Sequence, residues 1–143
     1  MTARHIVYVV PYLESAGTER QVLSLARHFA REDRVTLVAP DGTGTTLFAD
    51  AGIPHLVFPR LDFGLLSGAR RLYSRLKEAG AIAPVDIVHV HSGHELMFIA
   101  RHALPKAKRV FTVHGYHGRS APSSYVFASR FIRRYGARTI AVC

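Results

Sequence analysis

The chain has 143 residues, of which 48% are hydrophobic and 20% are charged, so it is long and apolar enough for one globular domain and is not disordered by composition. Its formal net charge of +9 favours an anionic partner, such as a phosphorylated metabolite, an acidic membrane surface or a nucleic acid. A single cysteine excludes an intrachain disulfide framework, and neither a signal-peptide pattern nor an apolar run near the ~20 residues of a membrane span is present, so a cytoplasmic location is expected.

Apolar segments and helical patterns alternate along the chain. Apolar runs predict strands at residues 5–10, 34–39, 55–58, 86–91, 108–113 and 138–142. Amphipathic patterns predict helices near residues 18–31, 44–51, 66–80, 94–103 and 123–135. Most of the strands lack polar alternation, which indicates burial on both faces. The sequence therefore predicts a Rossmann-like α/β fold, a doubly wound parallel sheet in a three-layer α/β/α arrangement.

The turn after the first predicted strand is the most informative local feature. Gly17 lies between the strand and the helix, and Thr18 followed by Gln21 is a capping-box pattern. Glu19 is predicted to lie mainly on the solvent side of this helix. An open helix N-terminus attracts anions because its unpaired N–H groups and the helix dipole point the same way, so a phosphate site is predicted here. The simpler alternative is that Gly17 only permits a tight turn.

Three polar segments are predicted to meet at one edge of the sheet. In the usual doubly wound strand order, the first and fourth strands are neighbours, and ligands bind beyond their carboxyl ends. Residues 15–19, 89–95 and 112–118 all follow or end such strands and all contain glycine. We therefore expect these segments to line a single crevice.

Five segments, in chain order, carry a resemblance to a known family. They are residues 17–21 (GTERQ), 35–38 (VTLV), 86–92 (DIVHVHS), 112–115 (TVHG) and 139–142 (TIAV). Together they resemble the N-terminal domain of the retaining glycosyltransferases of family 4, which have the GT-B fold, over nearly the whole chain. The resemblance implies a hexosyltransferase-type enzyme that moves a sugar from a nucleotide-sugar donor to an acceptor with retention, using neither a metal ion nor another cofactor.

The resemblance also assigns roles to residues. His114 matches the family's active-site histidine near the transferred sugar, and a simple structural imidazole at a strand end is the alternative. Gly17 and Thr18 match the loop that approaches the donor phosphates, although Ala16 stands where the family usually has the first of two glycines. The matching cleft residues on the acceptor side are His91, Ser92, Gly115 and Arg119.

The same resemblance implies a missing half. Residues 1–143 correspond to a single, incomplete acceptor-side domain, and the family's C-terminal donor-binding domain would follow. We therefore expect a donor-binding domain or a split-enzyme subunit as partner, a glycan or a lipid-linked sugar as acceptor, and no turnover by this chain alone.

A basic segment at residues 68–77 suggests a further partner. Leu72, Tyr73 and Leu76 are predicted to share one side of a helix with basic flanks, which is typical of a helix that touches anionic lipid at the inner face of a membrane. The predicted contact residues are Arg70, Arg71, Arg75 and Lys77. The alternative is a solvated helix whose leucines pack into the core.

Two functions from other classes each match part of the sequence. His89, His91 and His94 have the histidine spacing of a metallo-β-lactamase-like hydrolase, but Gly93 replaces the aspartate of that motif, and parallel α/β alternation does not suit that fold. A noncatalytic anion-binding or nucleic-acid-binding module would use the basic second half, in which 14 Lys and Arg residues face four acids. No nucleic-acid motif accompanies these charges, so no nucleic acid is expected as a partner.

Overall fold

The computed structural model describes residues 2–60, 65–114, 129–135 and 138–142. The strands are β1 (His5–Val9), β2 (Arg34–Ala39), β3 (His55–Val57), β4 (Ile87–His91), β5 (Lys108–His114) and β6 (Arg138–Val142). The helices are α1 (Gly17–Phe29), α2 (Thr45–Asp50), α3 (Leu65–Ile82) and α4 (Glu95–Ala103), and residues 129–134 are also helical. Each predicted strand and helix is present, and its observed bounds lie within a few residues of the predicted ones. The exception is the part of the 123–135 segment that lies outside the described residues.

All six strands are parallel, in the order β3-β2-β1-β4-β5-β6. This order confirms the predicted doubly wound, Rossmann-like sheet, because the chain runs outward from β1 to β3 and then crosses back to β4 on the other side of β1. β1 pairs with β4 through Tyr8 opposite His89, and β4 pairs with β5 through His91 opposite Thr112. The ends of β1, β4 and β5 therefore lie side by side, as predicted for the crevice.

Two apolar cores cover the two faces of the sheet. On one face, α1 and α2 pack on β1 and β2 around Tyr8, Val22 and Phe48. On the other, α3, α4 and the 129–134 helix pack on the sheet around Val90, Met97 and Ile132. Alternate residues of the central strands are buried on opposite faces, which explains their unbroken apolar runs.

The packing of α3 shows where the two leucines of the basic segment lie. Leu72 and Leu76 are fully buried in the core, so they do not join Tyr73 on a lipid-facing side. The predicted packing of these leucines into the core is therefore confirmed, and contact of the basic residues with lipid stays a prediction. Arg75 donates hydrogen bonds to the Val57 carbonyl (2.8 Å) and to Glu78 (2.7 Å), which ties this cation to the protein surface. No helix in the described part of the chain is long and apolar enough to cross a bilayer.

Candidate functional site

The first turn of α1 opens onto the carboxyl edge of the sheet. The helix begins at Gly17 with Ala16 as N-cap, and no side chain caps it. The first intrahelical hydrogen bond runs from the Arg20 N–H to the Ala16 carbonyl (3.2 Å), so the N–H groups of residues 17–19 precede it and point out of the helix end. The predicted capping box of Thr18 and Gln21 is wrong because the N-cap is Ala16, two residues before Thr18, which places Thr18 inside the first turn of the helix.

Gly17 is not required by the protein's own packing. It is exposed and helical, its φ angle is not positive, and a Cβ atom added there would meet nothing within 4 Å. The alternative in which Gly17 permits a tight turn is therefore wrong. The open space beside this residue lies at the helix end where unpaired N–H groups attract an anion.

Four rings stack along the sheet next to this helix end. Because side chains alternate along a strand, His89 and His91 lie on the same face of β4, between Tyr8 of β1 and His114 of β5. The ring centroids of His89 and His91 are 4.1 Å apart. His89 Nε2 shares a hydrogen bond with Thr112 Oγ1 (2.7 Å), and His91 Nδ1 shares one with His114 Nε2 (2.9 Å). His114, at the end of β5, is the partly exposed end of this stack.

Burial keeps these imidazoles uncharged at neutral pH. Loss of solvation, with a smaller contribution from the neighbouring imidazoles, lowers the pKa of His89 to about 4 and that of His91 to about 2. Burial also lowers the pKa of His114, against the opposing charge of Glu19. In a neutral pair one ring nitrogen donates and the other accepts, so the His91–His114 hydrogen bond fixes the orientation of His114.

Two buried polar atoms in this region have no hydrogen-bond partner among the described residues, namely Glu19 Oε2 and His91 Nε2. A buried carboxylate oxygen without a partner costs free energy, which a ligand hydroxyl would recover. Glu19 is only 6% exposed, so the prediction that it lies on the solvent side of α1 is wrong. Its position as the third residue of the helix is the one at which an acidic side chain usually folds back over the N-terminus, and this signal identifies it.

The remaining predicted residues fall in three groups. His91 is fully buried, so it does not contact an acceptor directly and instead supports His114. Ser92 lies at the cleft edge with a positive φ of 56°, an uncommon conformation for a non-glycine residue, and its N–H donates to the Thr112 carbonyl (3.2 Å). Gly115 and Arg119 lie outside the described residues.

The histidines do not form the metal site of the hydrolase alternative. His89 is bonded to Thr112, and the ring of His94 packs on Phe131 (centroids 5.5 Å apart). Within the described ranges, no three His, Cys, Asp or Glu side chains are placed to hold a metal ion together. Gly93, in the place of that motif's aspartate, has a φ of 63° that favours glycine.

On the other side of Gly17, the loops after β1 and β2 are joined. The Gly44 N–H donates to the Leu13 carbonyl (3.0 Å), and the Ser15 N–H donates to Thr43 Oγ1 (3.2 Å). A Cβ atom added at Gly42 would lie 2.0 Å from the Leu13 carbonyl oxygen. The β1 loop therefore approaches the β2 loop as closely as two backbones allow, and sequence reasoning did not predict this contact.

Gly42→Ala is expected to lower the free energy of unfolding by about 1–3 kcal/mol because the methyl group must push the two loops apart. Urea titrations of the variant and of the unmodified chain measure this loss. Gly17→Ala is the matched control, since its methyl group meets no protein atom. Equal stability of the Gly42→Ala variant and the unmodified chain would contradict the close approach.

Comparisons with known proteins show the family and the fold of this chain. The family described as Glycosyltransferase Family 4 matches residues 15–143. No curated protein sequence matches the chain. Among solved structures, a glycosyltransferase from Rickettsia africae superposes with a TM-score of 0.70 at 20% identity, over 99% of this chain and 37% of its own.

Two further structures have the same architecture. HepE from Anabaena, in complex with UDP and glucose, gives a TM-score of 0.68 at 15% identity, over 97% of this chain and 44% of its own. The calicheamicin glycosyltransferase CalG4 gives 0.58 at 20% identity, over 96% of this chain and 38% of its own. At these identities the likeness shows the fold, and this chain spans less than half the length of each of the three proteins.

Proposed function

This chain belongs to glycosyltransferase family 4 and has the fold of one half of a GT-B enzyme, and from that premise we propose that it is the acceptor-side half of a retaining, metal-independent hexosyltransferase. The complete enzyme transfers a sugar from a nucleotide-sugar donor to a glycan or lipid-linked acceptor. One observation carries this proposal: a neutral, hydrogen-bonded His114 lies at the same sheet edge as the open N-terminus of α1.

The α1 end supplies the proposed donor site. Its N–H groups and dipole favour the diphosphate of a nucleotide sugar, and the space beside Gly17 lets a phosphate approach the backbone. HepE binds UDP and glucose within the same fold, which supports a nucleotide-sugar donor. Thr18, in the first turn, is the proposed hydroxyl contact to the phosphates.

His114 is the proposed catalytic residue. As a neutral imidazole held by His91, it donates or accepts one hydrogen bond to a hydroxyl of the transferred sugar. In the proposed front-face route, the departing phosphate oxygen deprotonates the incoming hydroxyl, so no protein nucleophile is needed. The protein then contributes orientation and preorganised hydrogen bonds, which are large terms in catalysis. The unpaired Glu19 Oε2 is a further acceptor for a sugar hydroxyl at this edge.

The proposed enzyme needs a second half. The three solved glycosyltransferases are all more than twice as long as the part that this chain matches. We infer that a donor-binding domain, in the same polypeptide or in a separate subunit, closes over the carboxyl edge of the sheet and that this chain alone does not turn over. Contact with an anionic membrane through the basic surface of α3 is a further proposal, with Arg70, Arg71 and Lys77 as the exposed cations.

Sugar transfer by the complete enzyme tests the function. A panel of nucleotide sugars is offered with small-molecule and lipid-linked acceptors, and NMR reports the anomeric configuration of the product. We expect a retained configuration and the same rate after treatment with EDTA. No transfer from any donor would contradict the proposed function, an inverted product would contradict retention, and loss of activity in EDTA would contradict metal independence.

Gly17→Ala separates stability from function. Alanine has a higher helix propensity than glycine. The free energy of unfolding of the variant is therefore expected to equal that of the unmodified chain or to exceed it by up to about 0.5 kcal/mol. In the complete enzyme the methyl group occupies the space proposed for a donor phosphate, and kcat/KM for the donor is expected to fall about tenfold or more. Ser24→Ala, on the exposed middle of α1, is the control that leaves donor kinetics unchanged. Unchanged donor kinetics in Gly17→Ala would contradict the phosphate site.

A further inference from the structure

The hydrogen bond between His91 and His114 has two possible directions, and each presents different chemistry to a ligand. His91 Nδ1 and His114 Nε2 are 2.9 Å apart, and since both rings are neutral, one of these two nitrogens carries a proton and the other does not. If His91 donates, the proton of His114 lies on its second nitrogen, Nδ1. If His114 donates, its Nδ1 is a bare acceptor. The direction therefore decides whether His114 offers a ligand a donor or an acceptor.

The surroundings of His91 favour it as the donor. Its side chain is fully buried, with the ring of His89 at a centroid distance of 4.1 Å and that of Tyr8 at 5.9 Å, and its Nε2 has no hydrogen-bond partner among the described residues. If His114 donated, His91 Nε2 would be a buried N–H group without an acceptor. Among backbone groups, buried N–H groups without an acceptor are rarer than buried acceptors without a donor. The same preference leaves His91 Nε2 bare and places the proton of His91 on Nδ1.

Glu19 gives an independent argument for the same direction. Its carboxylate is 6% exposed and its charge opposes the lowering of the pKa of His114, whereas burial and neighbouring imidazoles lower the pKa of His91. The carboxylate therefore lies closer to His114 than to His91, which places it toward the second nitrogen of His114. A negative charge on that side attracts an N–H group and repels a lone pair. It favours the tautomer in which His114 Nδ1 carries the proton.

We propose that His91 holds His114 as its Nδ1–H tautomer, so that His114 donates a hydrogen bond to the ligand while Glu19 Oε2 accepts one, an assignment that rests on the proposed function. His91 is then a positioning residue that does not touch the substrate. Glu19 is a specificity-determining residue, because its unpartnered buried oxygen requires a donor. In this tautomer His114 Nδ1 cannot take the proton of the incoming hydroxyl, which leaves that proton to the departing phosphate.

A donor beside an acceptor selects a free hydroxyl group of the transferred sugar. A hydroxyl accepts a hydrogen bond from His114 and donates one to Glu19, so it satisfies both groups. A carboxylate in the same place only accepts and is repelled by the charge of Glu19. A fluorine also cannot donate and leaves Glu19 without a partner, and a site built to bond a hydroxyl rejects such an analogue. We therefore expect a neutral sugar to be preferred over a uronic acid.

Nitrogen NMR of this chain tests the tautomer without any turnover. In long-range proton–nitrogen spectra at pH 7, the chemical shift distinguishes a ring nitrogen that carries a proton from a bare one. His114→Ala and His91→Asn assign the signals. We expect a protonated Nδ1 and a bare Nε2 in both rings. A protonated Nε2 in His114, or an average of the two tautomers, would overturn the proposal.

Two variants of His91 test its positioning role in the complete enzyme. Leucine cannot donate to His114, so His91→Leu is expected to lower kcat about 10–10²-fold and to average the nitrogen signals of His114 between the two tautomers. Asparagine offers an amide N–H in place of Nδ1–H, and His91→Asn is expected to restore most of kcat and the single tautomer of His114.

His5→Leu is the matched control for these variants. It removes another buried histidine, which bonds Thr36 Oγ1 (2.9 Å) at the opposite end of the sheet, and is expected to leave kcat unchanged. Equal kcat in His91→Leu and His5→Leu would remove His91 from the positioning of His114. Should His91→Leu fail to fold, the nitrogen signals of the unmodified chain still decide the tautomer.

Substrate analogues test the role of Glu19. The probes are deoxyfluoro analogues of the nucleotide sugar that gives transfer, each with fluorine in place of one hydroxyl. At one position the loss of kcat/KM is expected to be at least about fivefold smaller in Glu19→Ala than in the unmodified enzyme. Glu32→Ala, an exposed carboxylate beyond α1, is expected to keep the full loss. Losses that Glu19→Ala leaves unchanged at every position would overturn the role of Glu19.

The tautomer and the function fail separately. Transfer by a complete enzyme whose His114 carries its proton on Nε2 would overturn this proposal and leave the glycosyltransferase function standing. No transfer from any donor would overturn the proposed function, while a protonated His114 Nδ1 would still show that His91 sets the tautomer.

Discussion

His114→Ala is expected to slow sugar transfer by the complete enzyme about 10²–10³-fold, the usual cost of removing one preorganised hydrogen bond at a reacting centre. His114 ends β5 at the edge of the proposed cleft, and its Nε2 is held 2.9 Å from His91 Nδ1. Because the imidazole is neutral and oriented, it acts without a prior protonation step. The decrease is expected in kcat with both substrates saturating, since the hydrogen bond strengthens at the transition state.

Two controls accompany this measurement. Circular dichroism and the urea midpoint show whether the His114→Ala variant folds, and since His114 is only partly buried, we expect it to fold. His102→Ala removes an exposed histidine of α4 and is expected to leave kcat unchanged. Transfer that is equally fast in His114→Ala and His102→Ala would remove His114 from the catalytic machinery and leave it a structural imidazole at a strand end.

The sheet was predictable because its signals are local. Each of its central strands is a continuous apolar run, and such runs with helical segments between them occur where a parallel sheet is covered on both faces. The usual strand order of a doubly wound sheet then places β1 beside β4, which the structure confirms. The convergence of Gly17, His91 and His114 at one edge follows from this order alone.

The environment of the side chains at the carboxyl edge of the sheet was less predictable, because it depends on residues that are far apart in the sequence. Glu19 is buried at the end of α1, where its charge acts on His114, which is 95 residues away in the sequence. The N-cap of the helix is also Ala16 and not Thr18, and this shift of two residues puts Glu19, in place of Gln21, at the position that turns back over the N-terminus. Similarly, His91 is a strand-end residue by sequence but is enclosed by Tyr8 and His114.

The contact between the loops after β1 and β2 illustrates the same limit. The sequence around Gly42 is typical of an ordinary loop. It contains no signal that the α-carbon of Gly42 lies against the backbone of Leu13. That contact brings Asp41 and Thr43 toward Tyr12 across 29 to 31 positions of the sequence. Tertiary packing of two loops, which periodicity does not encode, creates this part of the surface.

The buried histidines also predict a large loss of stability in mild acid. Burial lowers the pKa of His89 to about 4 and that of His91 to about 2 from the ordinary value of 6.5. Below pH 6.5 the unfolded chain binds a proton at each of the two histidines, whereas the folded chain does not. The contribution of these histidines to the free energy of unfolding is therefore fully present above pH 6.5 and decreases as the pH falls. In this pH range each histidine lowers the free energy of unfolding by about 1.4 kcal/mol per pH unit. The free energy of unfolding is therefore expected to fall by about 3–4 kcal/mol between pH 7 and pH 5.

Urea titrations at pH 7, 6 and 5 measure this loss. Asp33, whose pKa is held below 3.8 by hydrogen bonds from Arg4, titrates below the window, so Asp33→Asn should leave the pH dependence between 7 and 5 unchanged. His89→Gln removes one titrating group and is expected to reduce the slope by about one proton per molecule, whatever its effect on stability at pH 7. A free energy of unfolding that stays constant from pH 7 to pH 5 would show that the two imidazoles are hydrated or charged in the folded chain. The neutral His91–His114 pair on which the proposed catalytic role of His114 depends would then be lost as well.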